Sequence, residues 1–226
     1  MNTKSISRIC GWLYVSTVLA FLLSNLFLKG QLVDAADIPG TFKLVADNAS
    51  RYRLAVSIDF VAMVAVMALV FSLFVILKPV NRYLALLALG WRVGEVILQA
   101  GAKVPEYLLL ELSQSATSSP GTGIAGLEHL GQMLIAGSAW AVSLSFVFLS
   151  IGSIFNNWLF FRSKAIPKIL AIYGLVSTAL YTVGSVLALM IDLPESANMG
   201  MMLPMVLFEL LLGFYLAFVG MREIAG

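Results

Sequence analysis

Apolar residues run in six long blocks along the chain, separated by short stretches that are polar or rich in glycine and proline. Each block reaches the roughly 20 residues that a helix needs to cross the hydrocarbon of a bilayer. The pattern predicts spanning helices over residues 9–28, 54–77, 83–104, 131–155, 169–191 and 201–221. They use most of the sequence, so the expected fold is an all-α integral membrane protein, a single six-helix transmembrane domain over residues 1–226. Two of the breaks are longer. Residues 38–49 are suited to a short interfacial helix, and residues 113–126, rich in Ser, Thr and Gly, read as a linker. Pro167 falls where a helix begins, a place where its missing N–H costs nothing.

Composition supports this class. The chain is 60% hydrophobic and 12% charged, whereas soluble domains carry about 25% charged residues. A bilayer is therefore the expected partner. The net charge of +2 and the lack of a basic arm with interleaved aromatics argue against nucleic acid. One cysteine, Cys10, cannot close an internal disulfide, and one histidine, His129, offers no Cys/His metal set. No cofactor or metal is implied.

The charges between blocks set the orientation. With the amino terminus inside, Lys4, Arg8, Lys78, Arg82, Arg162, Lys164, Lys168 and Arg222 lie on the cytoplasmic side, against Glu223. The outer side holds Lys29, Lys43, Arg51, Arg53 and Lys103 with most of the acids. Basic residues concentrate beside cytoplasmic helix ends, so both termini are expected in the cytoplasm. The first block also resembles a signal sequence, with Val33-Asp34-Ala35 as a cleavage site. Its apolar run from Ile9 to Leu28 exceeds the usual core of about 7–15 residues, which favours a retained span.

Against this background one polar stripe stands out. Arg92, Glu95, Gln99, Lys103 and Glu106 recur at helical spacing on the third block, within roughly 80° of one another. Lys103 and Glu106 fall at the expected outer surface, where charge needs no special account. Asp59, Arg92, Glu95 and Glu209 lie deeper, roughly 8–16 Å below that surface at about 1.5 Å per residue. The second, third and sixth spans thus bring four charged residues to similar depths, one basic and three acidic. Arg92 and Glu95 are spaced to pair on one helix, leaving Asp59 and Glu209 in want of a cation, a proton or hydrogen-bond donors. Two roles fit: a polar staple between helices, or a site for a small molecule, an ion or a proton. Arg53, Gln99 and Lys103 flank the set. Catalysis has no support in the sequence, because a single histidine at a helix end supplies neither a zinc set nor an evident triad. The expected role is non-enzymatic, structural or sensory, with a small proton- or cation-coupled transporter as the alternative.

Several motifs resemble one bacterial membrane family. The run KPVNRYLALLALGWRVGEVI (78–97) resembles the second inner loop and third helix of the family called domain of unknown function 4386. FFRSKAIPKIL (160–170), FELLLGFYLAFVGMRE (208–223) and ASRYRLAVSIDF (49–60) are similar to its fourth-to-fifth junction, last helix and start of the second helix. The resemblance implies a multi-pass protein of the bacterial plasma (inner) membrane, with family polar positions at Arg53, Asp59, Arg92 and Glu209. Glu95 departs from that pattern, so its pairing with Arg92 is expected to be particular to this chain.

Overall fold

A computed structural model describes residues 3–118, 124–191 and 193–222. Within them the chain is helical, with α1 (Thr3–Leu22), α2 (Ile38–Asp47), α3 (Ala49–Leu77), α4 (Arg82–Ser118), α5 (Ile124–Ser163), α6 (Lys168–Met190) and α7 (Glu195–Phe218). A π-helical segment, Leu23–Lys29, prolongs α1. Six helices are long and apolar enough to cross a membrane: Thr3–Lys29, Ala49–Leu77, Arg82–Ser118, Gly126–Ser163, Lys168–Met190 and Ser196–Phe218. The protein is an all-helical, multi-pass membrane protein. Large apolar side chains such as Val61, Ile97, Ile169 and Phe218 are exposed, as lipid-facing positions require.

The expected short helix at 38–49 is α2. Asp37 starts it, its carboxylate accepting from Gly40 N at 2.9 Å, with Pro39 in the first turn. Ile38 and Phe42 are buried against Leu109, Leu127, Leu134 and Ile135. One side of α2 is therefore held by protein rather than by the lipid surface alone.

Two spans run further than the hydrophobic pattern suggests. α4 continues through Pro105 to Ser118, although a proline inside a helix removes one backbone hydrogen bond. Leu109, Leu110 and Ser113 are buried beyond that point, and their packing outweighs the broken bond. Residues 113–118 are thus helix rather than linker, as are 124–126, while 119–123 of the expected linker lie outside the described residues. α5 likewise extends on both sides of the expected 131–155.

Residue packing divides the chain into two compact units. The first comprises Met1–Val18, Val64–Ile97 and Ser143–Gly226. Its apolar core includes Leu73, Ile76, Leu77, Leu159, Phe160, Ile166, Phe208, Leu212 and Leu216. Glycine brings α1 and α7 together there: a Cβ on Gly11 would strike the backbone of Ala217 and Gly213. Hydrogen bonds add to this packing. Asn157 Nδ2 donates to Thr178 Oγ1 at 2.8 Å and to Gly174 O at 3.1 Å, and Tyr173 Oη donates to Pro204 O at 3.0 Å. The last of these engages a carbonyl beside the proline inside α7.

The second unit comprises Leu19–Met63 and Leu98–Val142. Leu32, Val45, Tyr52 and Leu110 form one of its apolar clusters, and Ser24 Oγ donates to Ala55 O at 3.2 Å. Four of the six spans, those built on α1, α3, α4 and α5, contribute residues to both units.

Candidate functional site

Among the described residues, buried charges occur in both units. In the second unit the π-helical segment ends at Lys29, whose ammonium is buried. Lys29 Nζ donates to Asp59 Oδ2 at 2.6 Å and to Glu106 Oε2 at 2.8 Å. Lys103 Nζ completes the circuit, at 2.8 Å from Asp59 Oδ2 and 2.6 Å from Glu106 Oε1. Ser138 Oγ donates to the same Glu106 oxygen at 3.2 Å. Two cations meet two anions, and every one of the four touches both opposite charges. Such a closed ring leaves no net charge in the low-dielectric interior, the condition under which burial of ions is tolerable.

Asp59, expected to want a cation, has two as partners, Lys29 and Lys103. This differs from the grouping that depth along the spans suggests, because depth does not specify which way a side chain points around its helix. Lys29 and Glu106 were expected to be ordinary surface charges. Both are only 9% exposed. The sequence carries one weak signal for Lys29: it directly follows an apolar block that would be left with an unbalanced charge at its end. Of the flanking residues, Lys103 is a ring member. Gln99 is half-buried, and exposed Arg53 reaches Gln114 Oε1 at 3.5 Å.

In the first unit α4 presents Arg92 and Glu95 one turn apart. Each is 3% exposed, and Arg92 Nη1 lies 2.9 Å from Glu95 Oε2. The Arg92 stem passes over Gly152 of α5, where a Cβ would stand 2.8 Å from Cγ and 3.1 Å from Cδ. Beside it, Trp91 meets Phe148 edge-on with ring centroids 4.8 Å apart. Phe148 in turn occupies the space next to Gly94. At Gly90 and Gly101 of the same helix nothing described lies within 4 Å of where a Cβ would stand.

Glu209 of α7 is half-buried and acts electrostatically on Arg92, as do Tyr14 of α1 and Glu95. Tyr181 of α6, 3% exposed, is influenced by both Glu209 and Glu95. Of the four residues singled out from the sequence, Arg92 and Glu95 are in direct contact, and Glu209, Tyr14 and Tyr181 belong to the same unit. Neither tyrosine was legible as a site residue, since tyrosines in apolar helices are usually packing or interfacial groups.

The guanidinium of Arg92 is incompletely satisfied. Neither Nε nor Nη1 makes an aligned hydrogen bond to any acceptor among the described residues, despite the short ion-pair distance to Glu95. A buried donor without an acceptor costs about 1–3 kcal/mol, and more when the group is charged. The charge count is also uneven: Arg92 stands against Glu95 and Glu209. The ring in the second unit is complete, whereas the Arg92 set retains both donor capacity and, with all groups ionised, one excess negative charge.

No curated protein and no solved structure matched the chain. Its sequence does match a family described as Domain of unknown function (DUF4386) over residues 9–220, nearly the whole chain. The chain belongs to that family.

Proposed function

We propose that this chain is a non-enzymatic protein of the bacterial inner membrane, with both termini cytoplasmic, that uses the Arg92 site as a sensor of a small polar ligand. In this reading the Lys29–Asp59–Lys103–Glu106 ring is structural and the Arg92–Glu95–Glu209 set does the sensing. The orientation rests on the basic residues between Lys4 and Arg222 that cluster at one end of each span. One observation carries the sensory reading: a guanidinium 3% exposed in an apolar helix keeps donors that no described residue accepts. A pure staple would be expected to satisfy them, as the ring does.

Thiol access tests this reading. In a Cys10→Ser background, Glu209→Cys should react with a small water-soluble thiol reagent in proteoliposomes. Complete inertness in folded protein would return the site to a purely structural role. A small proton- or cation-coupled carrier is the second reading, favoured by the unmatched acid in the Arg92 set. Uptake of a monovalent cation driven by a proton gradient, lost in Glu209→Gln, would select the carrier. Thiol access without such flux selects the sensor.

A further inference from the structure

One end of the first unit is strongly basic. α5 ends at Ser163 and α6 begins at Lys168, so Arg162, Lys164 and Lys168 border a single short turn. The turn is anchored from within. Ala165 and Ile166 are buried, and Ala165 N donates to Ser163 Oγ at 3.3 Å. The segment after α7 is tied to the same turn: Arg222 N donates to Ala165 O at 2.9 Å, and Met221 N donates to Ser7 Oγ of α1 at 3.0 Å. Arg222 is thereby held beside Lys164. All four basic residues are exposed, and none has an ion-pair partner among the described residues. Glu223 follows Arg222 in the sequence, and four cations against that one carboxylate leave an excess of three positive charges.

Apolar groups stand one turn deeper on both helices. Trp158 precedes Arg162 by four residues on α5, and Ile172 follows Lys168 by four on α6, a spacing that places each pair on one helix face. Trp158 is 45% exposed and Ile172 is 43% exposed, so these faces are open to lipid. A cation at the helix end with an exposed apolar group beneath it matches the order of headgroup and acyl chain in a phospholipid. A free anion would use only the first of these. Lys164 itself has φ 55°, a conformation that glycine adopts at less cost. The turn therefore carries a charge at a position where a residue without one would be easier to fold.

We propose that Arg162, Lys164, Lys168 and Arg222 form a binding site for the headgroup of an anionic phospholipid. The phosphate lies over the turn between α5 and α6, and the acyl chains lie against the apolar faces that carry Trp158 and Ile172. Hydrogen bonds from ammonium and guanidinium groups to phosphate are charge-assisted and so stronger than neutral ones. The backbone bond to Ala165 holds Arg222 in place before lipid arrives, which lowers the ordering cost of binding. Bound lipid would bridge the α5–α6 turn and the segment that follows α7.

Titration of the full chain in neutral detergent, with bound lipid counted by native mass spectrometry, tests the site. Phosphatidylglycerol should bind, and phosphatidylcholine, whose phosphate is balanced by its own cation, should bind far more weakly. Lys164→Gly/Arg222→Gln should weaken phosphatidylglycerol binding roughly 30-fold, from about 1 kcal/mol for each basic residue removed. Glycine suits the backbone at position 164, so this variant should unfold thermally like wild type when no lipid is present. Lys78→Gln/Arg82→Gln removes two exposed charges where α3 gives way to α4 and should leave binding nearly unchanged. Equal losses in the two double variants would overturn the site in favour of a diffuse basic rim. Equal binding of both lipids by wild type would overturn it without any variant. Inorganic phosphate that displaces phosphatidylglycerol at equal concentration would assign the cations to a free anion and overturn the lipid.

Discussion

Asp59→Asn is expected to destabilise the protein by about 3–5 kcal/mol, the usual consequence of removing one member of a buried ion set. Asp59 accepts from Lys29 at 2.6 Å and Lys103 at 2.8 Å, and its carboxylate, like that of Glu106, is touched by both lysines. Without it two ammonium groups would share one carboxylate, leaving a net positive charge inside an apolar unit. The decisive comparison is the double variant Asp59→Asn/Lys103→Met. It keeps the 2.8 Å pair between Lys29 and Glu106, which is neutral, and should recover most of the lost stability. Thermal unfolding in lipid nanodiscs reads both. A double variant no more stable than Asp59→Asn alone would show that the ring is not held by charge balance.

The second large effect concerns packing in the other unit. Gly11→Ala should destabilise by about 3 kcal/mol or more, the upper end of overpacking penalties. The new methyl would strike Ala217 N, Gly213 O and Ala217 Cα, all backbone atoms of α7 that cannot rotate aside. Gly213→Ala, on the facing helix, meets Tyr14 Cβ and Val15 Cγ2 at 3.0 Å and should cost less, about 1 kcal/mol. Gly90→Ala meets nothing within 4 Å and should stabilise α4 by up to about 1 kcal/mol through helix propensity. Unfolding measurements on the three variants should give this order. Equal effects at positions 11 and 90 would mean that α1 and α7 do not approach so closely.

The four intramembrane residues were legible because charge stands out in an apolar span, and the pair Arg92–Glu95 follows directly from spacing of three along a helix. The partners of Asp59 were not. Lys29 and Glu106 sat at or beyond the ends of the expected spans, where charge is ordinary. α4 passes Pro105 without ending. The segment before Lys29 is π-helical, so its i→i+5 bonding changes the direction a regular α-helix would give that side chain. Both departures depend on packing against other helices, which local hydrophobic pattern does not encode.

The sequence by itself determined the class of protein and the number of spans. Those properties follow from hydrophobic length and a fixed rise per residue, which are one-dimensional. Only the tertiary structure decided which charges meet. Pairing depends on the azimuth of each side chain and on which helices are neighbours. By that means a presumed group of one base and three acids became a neutral ring around Lys29 and a separate set at Arg92, with the excess of acid narrowed to Glu95 and Glu209.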